Sequence, residues 1–312
     1  VPTTRRPEAR EGDWRAAASP EELREYDAFG PWIEEVTSPE LMPPRFRPYY
    51  DELRTSRLLL KVPRNVERRT ARPGQDLYAA VLAVHDDHLT LLGLPDRAQA
   101  PVTRRDVDVR DVVALSELTD LLIGRWSLLL RDGTRVDLGH SSVSREKVEA
   151  ATDLLRARIV TATQPRSLGA PRPAEVEEFA FRTMLIALER RCDATVVPVH
   201  VEPRNALRRD VRGRLVLTSG LMLVDAGEEL VVVDGGPPRR PWRGPTYART
   251  TTFVRYDQLT GFSVIAPQQA RQVHELVLVA GRQELRLACT GDPAAVVGLL
   301  TSRGVRRTSA RP

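Results

Sequence analysis

The chain is poor in the residues on which most recognisable protein chemistry is built. Its 312 residues include two cysteines, Cys192 and Cys289, and two lysines, Lys61 and Lys147. Two distant thiols make neither a disulfide framework nor a cysteine-rich zinc cluster, and the expected setting is a reducing, cytoplasmic one. Phosphate-cradling loops are missing: there is no GxxxxGK[ST], and Gly235-Gly236 lacks the GxGxxG spacing. No GxSxG nucleophile elbow occurs. No stretch approaches the ~18 apolar residues that a membrane span requires. Pro2-Thr3-Thr4-Arg5-Arg6 leads into polar sequence, so no secretory leader is expected.

The ionisable residues that are present do not assemble into a catalytic set. His85-Asp86-Asp87-His88 has the nearest thing to metal spacing, since two imidazoles would face each other across a turn. Aspartate is an ordinary turn residue and no third ligand can be placed, so this segment reads as a polar hairpin tip. His140, His200 and His274 stand alone in the sequence, and Cys289 lies in an apolar, strand-like run that suits a core thiol. Asp225, Glu228 and Glu229 read as a solvated turn between strands. The expectation is a chain without catalytic residues, metal or cofactor.

Arginine is what the chain has in excess, at 45 of 47 basic residues. With abundant alanine, valine and leucine, this reads as coding bias. Net charge is +5, and it is uneven. Residues 1–73 carry 14 basic and 13 acidic groups, 74–165 carry 11 and 14, and 166–312 carry 22 and 15. The positive field therefore belongs to the last part and biases it toward anionic partners.

Hydrophobic patterning shows a faint internal repeat. Ser19-Pro20-Glu21-Glu22 has the form of a helix capping box. A Pro-rich arm follows, with Phe29, Trp32, Phe46, Tyr49 and Tyr50 as its anchors, and a second helix is expected to start at Pro48. Strands are expected from Leu77, with a hairpin at Trp126–Leu138 closed by a helix from Ser144 to Arg158. An amphipathic helix is expected over Ala174–Cys192. Strands then recur from Arg214, and a hairpin at Glu275–Ala288 is closed by a helix from Pro293 to Ser302. The expected organisation is a disordered 1–18, an aromatic arm with short helices at 19–73, a first module at 74–162, a linker and amphipathic helix at 163–204, a second module at 205–303 and a frayed basic tail at 304–312.

Lys61-Val62-Pro63-Arg64-Asn65-Val66-Glu67-Arg68-Arg69 leads into Arg72-Pro73-Gly74-Gln75-Asp76-Leu77-Tyr78. Val109-Arg110-Asp111-Val112 has a counterpart in Arg255-Tyr256-Asp257-Gln258-Leu259. On these segments the chain resembles bacterial proteins that carry two pleckstrin-homology-like (PH-like) modules in tandem, over a little more than half its length. The resemblance implies an α+β fold of two modules, each a bent antiparallel sheet or open barrel closed by a C-terminal helix. It implies no ligand. Relatives that bind phosphoinositides use a basic first hairpin loop, and the turns taken as corresponding, Asp86-Asp87 and Ser219-Gly220, are not cationic.

The most unusual segment joins two expected strands and mixes arginine with aromatics on a proline-stiffened loop: Arg239, Arg240, Trp242, Arg243, Tyr247 and Arg249. Guanidinium pairs bidentately with phosphate or carboxylate, and these six are the candidate binding residues. The reading is a non-enzymatic adaptor acting on a protein partner. The alternative is peripheral binding to anionic lipid at the inner membrane face through the basic second module. Nucleic acid is disfavoured, because no recognition motif is present.

Overall fold

Ser19 and Glu22 form the reciprocal capping box that their spacing predicts. The Glu22 amide donates to Ser19 Oγ at 3.3 Å and the Ser19 amide donates to Glu22 Oε2 at 2.7 Å. With Pro20 in the first helical turn, this starts α2 (Pro20–Ala28). A helix also precedes it, α1 (Glu11–Ala17), in sequence expected to be disordered. Trp14 supplies its anchor, meeting Tyr26 edge-on with ring centroids 5.1 Å apart. The computed structural model describes residues 11–95, 100–160, 173–192, 195–204, 207–209, 215–236, 248–265, 274–289 and 292–308. The linker expected at 163–173 lies outside them except for its last residue, Pro173.

The chain forms two compact units, Val1–Asp106 and Val107–Pro312. In the first, an antiparallel sheet runs β1 (Glu34–Glu35), β2 (Leu58–Pro63), β3 (Tyr78–Val84), β4 (His88–Gly93) and β5 (Thr103–Asp108), in that spatial order. The helix expected from Pro48 is a single turn, α3 (Tyr50–Leu53), and two strands, β1 and β2, precede the start expected at Leu77. Leu58-Leu59-Leu60-Lys61-Val62 is buried almost throughout, so it lacks the alternation that marks a half-exposed strand. Phe29, Met42, Phe46, Leu53, Leu77 and Leu92 share the core, and Tyr49 and Tyr50 pack against it. Trp32 is not an anchor: the residue is 44% exposed and its indole N–H donates to Glu34 at 2.8 Å.

The second unit opens with a one-turn 3-10 helix, Val109–Asp111. Next come β6 (Val112–Asp120), β7 (Ile123–Leu130), β8 (Arg135–Ser141) and α4 (Arg145–Val160). The amphipathic helix α5 is shorter than expected, Phe179–Arg191. Beyond it lie β9 (Val197–Glu202), a ribbon of β10 (Leu207–Arg209) and β11 (Leu215–Leu217), β12 (Leu221–Asp225), β13 (Glu229–Asp234) and β14 (Arg249–Arg255). A second one-turn 3-10 helix, Tyr256–Gln258, leads to β15 (Leu259–Ile265), β16 (His274–Ala280), β17 (Gln283–Cys289) and α6 (Ala294–Ser302). The fold is α+β with antiparallel sheets, and among the described residues no sheet closes into a barrel.

One sheet of seven strands dominates this unit, in the order β8-β7-β6-β14-β13-β12-β9. Its centre is the β6–β14 pairing, from Arg249↔Thr119 to Val254↔Ala114, with Ser116 and Thr252 hydroxyls 3.0 Å apart across the strands. Alternation sends the two sets of side chains to opposite faces. Ala114 and Val254 join Leu230, Val232, Phe262, Leu276, Leu278, Leu299 and Leu300 in a core shared with β15–β17 and α6. Glu117, Phe253 and Glu229 face the other way, toward α4 and α5.

There the side chains form a buried ionic cluster. The Arg156 guanidinium lies 4.1 Å from the Phe253 ring centre and donates to Glu229 at 2.7 and 2.9 Å and to Asp153 at 3.1 Å. Arg191, 5.2 Å from the same ring, forms a fork to Glu117 at 2.8 and 2.9 Å and also pairs with Asp153. Burial disfavours both cations, but the adjacent carboxylates outweigh it and hold both above the usual arginine range. Glu229 is thus no part of a solvated turn. Neither is Asp225, which is buried and accepts from Tyr256 Oη at 2.7 Å and Arg303 Nη2 at 2.6 Å. The tail expected to fray is docked as far as Thr308. Gly304 (φ +76°) reverses the chain, Val305 enters the core, and the Thr308 amide donates to Phe262 O at 2.7 Å.

Glu229→Ala leaves Arg156 buried with one exposed-side carboxylate in place of two, and should cost roughly 3 kcal/mol. The urea midpoint should fall with an unchanged slope. Pairing Glu229→Leu with Arg156→Met should recover most of the loss. An unchanged midpoint in the single variant would contradict the cluster's role.

Candidate functional site

Of the six candidate binding residues, Arg239, Arg240, Trp242, Arg243 and Tyr247 lie outside the described residues, and Arg249 is placed. It is the first residue of β14, opposite Thr119 at the end of β6. Thr119, Glu117, Arg249 and Thr251 line a cleft with His140 of β8, Arg145 and Glu149 of α4, and Arg191 of α5. The cleft is small, about 40 Å³, enough for a few waters or one small anion. Glu117 and Glu149 are already engaged, by Arg191 and Arg145 respectively. Arg249 has no salt bridge among the described residues. Burial, with Arg145 nearby, lowers its affinity for its proton below that of an ordinary arginine. Among the described residues it is an under-compensated cation at the sheet end.

Beside this cleft the β6–β7 turn breaks ordinary turn chemistry. Asp120 pairs with Ile123, so Leu121 and Leu122 are the two turn residues, where Asn-Gly or Gly-Xaa is the usual solution. Leu121 has φ +50°, in the left-handed region. Leu121, Leu122 and Ile123 are 63%, 76% and 67% exposed, and Val143 is exposed at the adjacent end of β8. Ser142 donates its amide to Leu122 O at 3.0 Å and fixes the tip against the segment that precedes α4. The surrounding charges are of both signs: Asp120, Arg125, Arg145 and Glu146 are all exposed. Sequence reading missed this tip, because three aliphatics in a row look like strand. The available signal was that a turn had to fall among them.

His85 and His88 stack with centroids 4.2 Å apart, His88 Nδ1 lies 2.6 Å from Asp87, and Asp86 pairs with Arg57. Three donors do not converge there. Burial, then the His88 charge, pushes His85 below the usual histidine range. Neither cysteine is an activated nucleophile: burial raises Cys192, and burial with Glu202 nearby pushes Cys289 up to about 12. Among the described residues no helix is long and apolar enough to cross a membrane.

The connection between β2 and β3, residues 64–77, holds Arg64, Arg68, Arg69 and Arg72. Those guanidinium groups are used internally. Arg64 donates to Asp76 O and Leu94 O, each at 3.0 Å, Arg68 donates to the Tyr26 and Phe29 carbonyls, and Arg69 pairs with Glu67.

A larger cavity, about 540 Å³, lies in the first unit between α2, the Pro39–Pro44 segment and β2–β3. Its lining includes Glu25, Arg47, Lys61 and Tyr78. Lys61 is committed to Glu34 at 2.8 Å and to the Tyr78 ring, and Arg47 to Glu21. Burial, reinforced by Asp76, pushes Glu25 up to about 7. The cavity is ligand-sized, but it holds no nucleophile with a base beside it. No protein-family model matches the chain, and no curated protein matches it.

A carboxyl whose folded-state pKa is raised favours the folded state at low pH, and that contribution is lost as pH rises through about 7. Glu25→Gln should therefore increase the melting temperature at pH 8 and flatten the decline between about pH 4.5 and 7. Parallel melting curves for both proteins across this range would contradict it. Leu121→Gly should relieve the left-handed strain and raise stability by about 0.5–1 kcal/mol. A loss of stability in denaturant titration would contradict that.

Proposed function

We propose that the chain is a non-enzymatic adaptor built from two PH-like modules, which binds a protein partner at the β6–β7 end of the seven-stranded sheet. Two element series support the modular reading. β2–β5, a 3-10 turn, β6–β8 and α4 have the same order as β9 with β12–β14, a 3-10 turn, β15–β17 and α6. The observation that carries the binding reading is the exposed aliphatic tip, Leu121-Leu122-Ile123 with Val143, beside the under-compensated Arg249. Apolar surface of this kind, rimmed by polar groups, marks interaction sites.

The rim favours a protein over a bilayer. An anionic membrane selects clustered lysine and arginine, whereas Asp120 and Glu146 alternate here with Arg125 and Arg145. An apolar centre with a mixed polar rim is the anatomy of a protein interface. Arg249 would then meet a carboxylate of the partner. The first-unit cavity weighs toward a small ligand, but Glu25 alone is no catalytic set.

Burying one leucine contributes roughly 1.5–3 kcal/mol, so Leu122→Asp should weaken a partner isolated from the native host by tenfold or more. Arg286→Ala, an exposed change on β17, should leave it bound. Melting should be the same for both variants within about 0.5 kcal/mol. Equal retention by Leu122→Asp contradicts the surface. Flotation with anionic but not neutral vesicles, abolished by Leu122→Asp, would replace the protein partner with a membrane.

A further inference from the structure

His200, Glu202 and Cys289 are separated in sequence by 2 and 87 positions, and the fold brings them together. On β9 the period of two places His200 and Glu202 on one face. Cys289 ends β17, opposite His274. All three are buried, with relative exposures of 7%, 4% and 0%. His200 Nε2 lies 2.8 Å from Glu202 Oε1, and one donor atom from each residue falls within 4.8 Å of the other two. Among the described residues this is the one place where three such donors converge.

We propose that these three side chains bind a divalent, borderline-soft cation, with zinc as the reference ion. Thiolate and imidazole select such metals over calcium or magnesium. With zinc–sulfur near 2.3 Å and zinc–nitrogen or oxygen near 2.0–2.2 Å, tetrahedral donors sit about 3.4–3.6 Å apart. The His200–Glu202 pair has to open by about half an ångström and Cys289 has to close, which are rotamer-scale movements. Charge closes as well: a dication with one thiolate, one carboxylate and a neutral imidazole is net neutral, the arrangement that an apolar core tolerates best. On binding, the Cys289 S–H bond breaks, its electron pair forms the metal–sulfur bond and the proton goes to solvent. One tetrahedral position is left for a further donor. The role is structural, tying the edge strand β9 to β17 across the core.

The test uses the full chain, freed of metal with a chelator, folded by circular dichroism and titrated with cobalt(II). One equivalent should produce tetrahedral ligand-field bands and a thiolate-to-cobalt charge-transfer band, both removed by zinc. Zinc should also raise the melting temperature. Cys192→Ser should keep the signals and Cys289→Ser should lose the charge-transfer band. If Cys289→Ser does not fold, His200→Gln is read instead and should weaken cobalt by roughly tenfold or more. No charge-transfer band in the folded wild-type chain overturns the proposal. So does a band that survives Cys289→Ser, or an affinity unchanged in His200→Gln. In those cases the three residues are a hydrogen-bonded pair packed beside a core thiol.

Discussion

The second unit depends on the pairing of β6 with β14. Their paired residues are 130 to 140 positions apart in sequence, from Thr119↔Arg249 to Ala114↔Val254. Closing so long a loop is entropically costly, so the contact must be supported by more than ladder hydrogen bonds. Support comes from both faces. On one, Val254 and Ala114 are sealed in the apolar core under α6. On the other, Phe253 carries two guanidinium groups, Arg156 from α4 and Arg191 from α5, each held by carboxylates from a different strand. Burying these charges is tolerable only because the set is nearly closed, and removing any member leaves its partner stranded.

The seam also brings together the two parts of the proposed binding surface. Pairing Thr119 with Arg249 puts the end of β6, with its leucine turn, beside the start of β14. An apolar tip from the first element series and a cation from the second thereby become neighbours. Neither series alone contains both. The aliphatic turn residues lower stability, and Leu121 does so through its backbone as well. Departures from local rules of this kind concentrate where a surface has work to do.

Sequence made local features legible and long-range ones not. The Ser19–Glu22 capping box, the hairpins flanking Gly133 and Gly281 and the closing helices α4 and α6 are short-range patterns, and they stand where the spacing put them. The strand Leu58–Pro63 was missed because burial on both faces erases alternation. The docked tail was missed because Val305 and Thr308 owe their places to Phe262, over 40 residues earlier. At the site, arginine composition drew attention to 239–249, and only Arg249 falls within described structure. Glu229 and Asp225 looked like solvated turn acids because their partners, Arg156 and Arg303, lie about 75 residues away. In the His200–Glu202–Cys289 convergence only the His200–Glu202 spacing is local, and Cys289 joins it because two strands meet across a core.

Hydrogen exchange of the full chain under native conditions measures the seam most directly, because it reports the opening free energy of each strand. If β6–β14 joins the two series into one cooperative body, amides of β6, β7, β13 and β14 should share one opening free energy, close to that of global unfolding. Glu229→Ala should lower all four together. If β6, β7 and α4 instead exchange through an opening that leaves β12–β14 protected, the two series are independent and the seam does not hold the unit together.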